Sequence, residues 1–187
     1  MLIAGKELNE LIERGVITAK PENVNAASID VRLADVFFFE RNTYKLGVNP
    51  RVIDLDAKES VPMDRHKVPE GGAVHLMPKQ FCLASTIEVF NLPPDISAQF
   101  KLRSSMARNG LDHAQAGWAD AGWHGSSLTL ELFNMLELHP LRLRPGMRIG
   151  QMVFFRHADA GDRSYGKIGN YNNTPTTTQG FKGTGHG

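Results

Sequence analysis

Apolar residues recur along this chain at two different spacings, and the change of spacing marks its organisation. Near the start, Leu8, Leu11, Ile12 and Val16 fall at helical intervals and Gly15 provides a stop, which predicts an amphipathic helix over about residues 5–14. From Ser28 onward the apolar segments become short and rich in β-branched and aromatic residues. Residues 28–33, 35–40, 52–55, 73–77, 81–90, 96–102, 126–133, 141–144 and 150–156 read as strands. Turn formers separate them, among them Glu70-Gly71-Gly72, Asn91-Leu92-Pro93-Pro94-Asp95 and Arg144-Pro145-Gly146. Many short strands with frequent turns predict a mainly β fold, a sandwich or barrel, rather than alternating β and α units. The segment Ser127–Phe133 alternates cleanly. Leu128, Leu130 and Leu132 share one face, and Ser127, Thr129, Glu131 and Phe133 share the other. After about Ala158 the composition shifts to Gly, Asn and Thr, which cannot supply much core. The expected organisation is a β domain over residues 1–157 and a tail over residues 158–187, either disordered or ordered by binding.

Composition narrows the partners. The 187 residues suffice for one domain with a real core, and 41% hydrophobic against 22% charged is an ordinary globular balance. A formal net charge of +1 gives no general attraction to a nucleic-acid polymer or an anionic membrane, so basic residues must act locally. Cys82 is the single cysteine, so an intrachain disulfide is impossible, and a cytoplasmic setting is compatible with that. The N-terminal stretch mixes acids with its apolar residues, unlike a signal peptide, and no run approaches the roughly 20 apolar residues of a membrane span.

Familiar metal and nucleotide motifs are missing. Zinc deaminases need a His-x-Glu and a Pro-Cys-x-x-Cys segment, and the sequence contains neither. The seven histidines form no pair at i, i+4; His113 and His124 suit neighbouring strands, with surface roles expected for both. No Walker loop or dinucleotide fingerprint is present.

Three stretches carry candidate chemistry. In Arg103-Ser104-Ser105-Met106-Ala107-Arg108, two arginines flank adjacent hydroxyls just past a strand, which reads either as a solvated turn or as a phosphate cradle. In Ala116-Gly117-Trp118-Ala119-Asp120-Ala121-Gly122-Trp123, Asp120 lies amid apolar neighbours and the glycines allow close approach. It reads as a ligand-facing loop or as a tight turn with Asp120 bonded to local amides. Glu131, on the polar face of its strand, is either solvated or a rigidly held general base.

Taken in order, these segments resemble the dCTP deaminase family of the dUTPase superfamily. The likeness runs from Asn25-Ala26-Ala27-Ser28-Ile29-Asp30-Val31-Arg32-Leu33 through the Arg103–Arg108 segment, Ala116–Trp123 and Thr129-Leu130-Glu131-Leu132. It continues in Arg144-Pro145-Gly146-Met147-Arg148-Ile149-Gly150-Gln151, Tyr165 and Gly169-Asn170-Tyr171. The resemblance implies a distorted jelly roll, a homotrimer with active sites between subunits, no zinc, and Mg²⁺ carried by a deoxynucleoside triphosphate. It assigns Glu131 as the general base for water attacking C4, Ser104 as a holder of that water, and Ala116 as its carbonyl guide. Arg108 would lie near the base, and Asp120 would meet the sugar or activate water against the α-phosphate. Arg103, Ser105, Gln151, Tyr165 and Asn170 match nucleotide contacts, although the family usually has a cationic lysine where Asn170 stands. The chain is one residue shorter than the family pattern between Arg108 and Asp120 and one longer between Asp120 and Glu131. Its last residues, around Phe181, faintly resemble a glycine-rich dUTPase tail.

The leading expectation from this resemblance is deamination of dCTP to dUTP. A second is a bifunctional enzyme that also hydrolyses dUTP to dUMP and pyrophosphate, to which the A-G-x-x-D-A-G-W form is closer. A third is a nucleotide-binding regulatory protein without turnover, or an enzyme for another deoxynucleotide.

Overall fold

The alternation of apolar and polar residues builds antiparallel strands whose inward faces meet in one core. The computed structural model describes residues 1–42, 44, 47 and 49–180. Helix α1 (Lys6–Glu13) precedes strands β1 (Ile29–Arg32), β2 (Val36–Glu40), β3 (Met63–Lys67), β4 (Val74–Leu76), β5 (Phe81–Asn91) and β6 (Ile96–Leu102). After the one-turn helix α2 (Ser104–Ala107) come β7 (Leu111–His113), β8 (Trp118–Ala119), β9 (His124–Asn134), β10 (Leu141–Leu143) and β11 (Arg148–Arg156). A last turn of helix, α3, spans Tyr165–Ile168. One sheet has the order β1-β11-β6-β8 and the other β3-β2-β5-β9-β7, with β10 and β4 paired apart. The expected mainly β sandwich is the fold observed.

The two large sheets bury a common set of side chains. Ile29, Ile96, Ile149 and Phe154 come from one sheet, Phe37, Phe90, Leu130 and Leu132 from the other, and all are fully buried. Removing each such side chain from water contributes about 1.5–3 kcal/mol. Helix α1 closes one end of this core with Leu8 and Leu11, three positions apart on a single face.

A bulge in β5 shapes the sheet that carries Glu131. Its register against β9 breaks between Ser85 and Val89. Thr86 Oγ1 fills the gap, accepting from Leu128 N at 3.0 Å and donating to the Glu88 carbonyl at 2.8 Å. The break turns Glu88 inward, wholly buried, where the backbone N–H and Nε of Arg32 each donate to its carboxylate at 2.8 Å. Those two donors make burial of the charge tolerable.

One expectation needs correction. Residues 52–55 form no strand: Val52 is 88% and Leu55 68% exposed, so their apolar pattern has no face to bury. Asp54 and Glu59 instead cap a turn, with Asp54 Oδ1 accepting from Ala57 N and Glu59 Oε2 from Asp54 N. The tail, through Gly180, packs on its own chain. Thr177 is buried, its hydroxyl donating to the Val36 carbonyl and sharing a hydrogen bond with Ser85 Oγ, each at 3.1 Å, and Trp123 Nε1 donates to the Tyr171 carbonyl at 2.9 Å. The segment is held by hydrogen bonds to sheet groups rather than by apolar area, which composition does not register. Phe181 lies outside the described residues.

Candidate active site

The outward face of β9, the β8–β9 turn and the tail enclose a cavity of about 520 Å³. Ala116, Asp120, Glu131 and Tyr165 all line it, as do Trp118, Ser127, Thr129, Tyr171 and the tail residues Thr178–Gly180. Met63, Phe81, Leu83 and Leu128 give it an apolar floor, and the segment after β2 adds Leu55 and Val61. A cavity of this size, mostly apolar with a few convergent polar groups, has the form of a small-molecule site.

Glu131 owes its position to strand alternation. Its neighbours Leu130 and Leu132 are sunk in the core, so the carboxylate must point to the other face. There its Oε2 lies 3.1 Å from Nε2 of His113, whose side chain is 6% exposed and whose ring centroid is 4.7 Å from that of Phe100. The approach is out of line for a hydrogen bond, and both buried atoms lack a hydrogen-bond partner among the described residues. The expected surface role for His113 is therefore wrong: the residue is buried, with only Asp112 of β7 partly exposed. Nor do the two histidines meet. His113 pairs with Leu132, His124 with Asn91, at opposite ends of β9. Two residues beyond His113, Gln115 adopts φ 65°, a strained left-handed conformation in the segment that is one residue short of the family pattern.

Asp120 sits at a tight turn, but its carboxylate does not cap it. Trp123 N donates to the Asp120 carbonyl at 3.1 Å, and the side chain instead accepts from the indole N–H of Trp118 at 2.8 Å. Gly122 completes the turn at φ 88°, and a Cβ there would collide with the Ser164 hydroxyl, so the glycine admits the tail. Tyr165 follows directly. Burial pushes its hydroxyl above its ordinary pKa, against amide donors from Tyr171 and Asn170 that lower it.

The remaining predicted residues lie elsewhere. Arg103, Ser104, Ser105, Arg108 and Gln151 do not line the cavity. Ser104 and Ser105 are exposed on α2, with Arg108 Nη2 donating to Ser104 Oγ at 3.4 Å. Arg103 donates to Asp30 Oδ2 at 2.9 Å, and Arg148 reaches the same oxygen at 3.4 Å. Asp30 is 4% exposed and also accepts from Asn25 Nδ2, so one buried carboxylate holds two partly exposed guanidiniums. Gln151 pairs with Asp30 across β1 and β11 and accepts from Ser28 Oγ at 3.2 Å. Sequence reasoning missed His113, Trp118, Asp30 and Arg148 as members of these clusters. Only the i, i+2 spacing of Trp118 and Asp120 was a readable signal.

Among the described residues there is no group of three His, Cys, Asp or Glu side chains able to hold a metal ion, and no helix long and apolar enough to cross a membrane.

The fold is a β sandwich of the dUTPase-like type, and the sequence settles its family: residues 2–157 match the dCTP deaminase-like family, and the chain belongs to it. A relative from Streptomyces coelicolor, named "dCTP deaminase, dUMP-forming", is 38% identical over 172 residues, covering 89% of this chain and 85% of the relative. A relative of the same name from Aquifex aeolicus is 39% identical over 168 residues, covering 88% and 87%. Among solved structures, the 2'-deoxycytidine 5'-triphosphate deaminase of Agrobacterium tumefaciens superposes with a TM-score of 0.62 at 23% identity over 82% of this chain, a likeness of fold. The chain spans about half the length of that protein, 47%. The relatives' shared name overturns the expectation that dUTP is the end product, because it specifies dUMP.

Proposed function

We propose that this enzyme converts dCTP to dUMP, ammonia and pyrophosphate by two hydrolytic steps in one cavity. The observation that carries the reading is the presence of two carboxylates, Glu131 and Asp120, on the wall of the same apolar cavity. Deamination and phosphoanhydride cleavage each need a base, and one carboxylate serves each. Glu131 takes a proton from a water guided by the Ala116 carbonyl as that water adds to C4. The carboxyl passes that proton to N3 and then carries the proton of the new C4 hydroxyl to the amino group, so that ammonia leaves as the C4–N bond breaks and the C4 carbonyl forms. His113 stands beside Glu131 to steady it. Asp120 takes a proton from a second water, which attacks the α-phosphorus as pyrophosphate departs. Mg²⁺ enters as part of the triphosphate substrate, neutralising charge on the leaving group.

The phosphate contacts assigned to Arg103, Ser105 and Gln151, with Ser104 and Arg108 toward the base, belong to a surface outside the cavity of the same chain. This supports a homotrimer in which a neighbouring copy supplies that surface. The residues 158–180 already docked on the cavity, with Tyr165 and Asn170 near the nucleotide, act as its cover and exclude water. Chromatography of products after incubation with Mg²⁺ and either dCTP or dUTP tests the proposal. Release of dUMP from both substrates is expected. Accumulation of dUTP that the enzyme leaves intact would refute the second step, and unchanged dCTP would refute both.

A further inference from the structure

Trp118 is out of place as a packing residue. It belongs to the two-residue strand β8, paired with Gln99 of β6, and remains 52% exposed despite stacking on Phe155 at 6.1 Å between centroids. A tryptophan so placed leaves half its apolar surface in water. Its one polar atom, which can only donate, is fully engaged: the indole N–H meets Asp120 Oδ1 at 2.8 Å.

The kind of donor matters. The two buried carboxylates of the described residues are held by guanidinium: Asp30 by Arg103 and Arg148, and Glu88 by Arg32. A cation beside a carboxylate stabilises its charge strongly and weakens it as a base. Asp120 forms no ion pair among the described residues and is held by a neutral donor. A neutral hydrogen bond fixes orientation while stabilising the anion less. Because the indole occupies Oδ1, the second oxygen, Oδ2, is left to accept a proton. The i, i+2 spacing puts both side chains on the same face, so the clamp is local and survives small movements of the turn.

We propose that Trp118 is the positioning residue for Asp120 in the phosphate-cleaving step, fixing the carboxylate so that Oδ2 faces the attacking water. The inference rests on the reading of Asp120 as the base of that step. In the step itself, the water oxygen bonds to the α-phosphorus, its proton passes to Oδ2, and the bond from phosphorus to the α–β bridging oxygen breaks. Pyrophosphate carries away that electron pair, and Asp120 later returns its proton to solvent. Deamination runs through Glu131, so Trp118 separates the two chemistries of one cavity.

The test compares Trp118→Phe and Trp118→His with the wild-type enzyme, all as full chains with Mg²⁺. Phenylalanine keeps a ring against Phe155 but has no donor. Histidine places Nε2 the same number of bonds from Cβ as the indole nitrogen and so restores one. For Trp118→Phe, kcat on dUTP is expected to fall about tenfold or more, with KM changed less than about threefold and dUTP building up when dCTP is supplied. Trp118→His is expected to recover much of the loss. Wild-type kcat on dUTP in the phenylalanine variant overturns the proposal. So does an equal fall in ammonia release and dUTP cleavage, or an equal loss in both variants, since either marks a packing role. If the wild-type enzyme itself leaves dUTP intact, the function proposed above fails and this inference falls with it.

Discussion

The cavity and the α2 surface divide the expected site between them, and they are built on opposite principles. The cavity is concave, largely apolar and assembled from β9, the β8–β9 turn and the tail, with Glu131 and Asp120 free of guanidinium partners among the described residues. The α2 surface is exposed and cationic, with Arg103 and Arg148 fixed by a buried Asp30. One region suits a base and sugar, which need exclusion of water and carboxylates able to take protons. The other suits phosphates, which need pre-aimed positive charge. Separation within one chain keeps these arginines away from the carboxylates, and in the homotrimer proposed above a second copy would bring the halves together.

The strongest way to break this division is to disable each half separately. Glu131→Gln is expected to lower ammonia release from dCTP by about 10²–10⁴-fold while nucleotide binding persists. Arg108→Ala should be similarly damaged through the other half. Trimers reassembled from an equal mixture should regain activity in about a quarter of their sites, where a wild-type Glu131 face meets a wild-type Arg108 face. A mixture as inactive as its components would mean that each chain completes its own site. Asp120→Asn sharpens the cavity side alone. It is expected to turn the enzyme into one that releases dUTP, and product analysis showing wild-type dUMP yield would remove Asp120 from its role.

Much of this division could be read in the sequence, and the part that could not has physical causes. Alternation in Ser127–Phe133 fixes the face of Glu131 because a buried leucine on either side leaves one direction for a carboxylate. The strand β3 was not legible, since Asp64, Arg65, His66 and Lys67 are all exposed on a sheet edge and carry no apolar alternation. Strands β7 and β8, at three and two residues, are too short to show a period. The tail's contacts were not legible because composition reports apolar area, whereas Thr177, Thr178 and Asn172 meet particular sheet groups by hydrogen bonds. Contacts such as Glu131 with His113, or Asp30 with Arg148, join residues far apart in the chain, and no local pattern encodes them.

Asp30→Asn addresses the cationic half. Loss of the shared carboxylate charge should let Arg103 and Arg148 swing apart, raising KM for dCTP about tenfold with kcat less affected. The guanidiniums are partly exposed, so the stability cost should be modest, about 1–3 kcal/mol. Urea melts and steady-state kinetics read the two effects separately. A change in kcat alone would place Asp30 with the chemistry rather than with the phosphate grip.

The smallest effect concerns the cover on the cavity. Burial holds the Tyr165 hydroxyl in its neutral form above the ordinary tyrosine pKa of about 10. The docked chain therefore keeps a proton there that a detached tail gives up at lower pH. The contribution of Tyr165 to docking is complete below the ordinary value and is lost as pH rises through the elevated one. Limited proteolysis of the tail should accelerate above about pH 10, and Tyr165→Phe should remove that part of the pH dependence, although it also forfeits the bond from Tyr171 N at 3.3 Å. If both proteins show the same pH profile, Tyr165 is not the group that couples the cover to protonation.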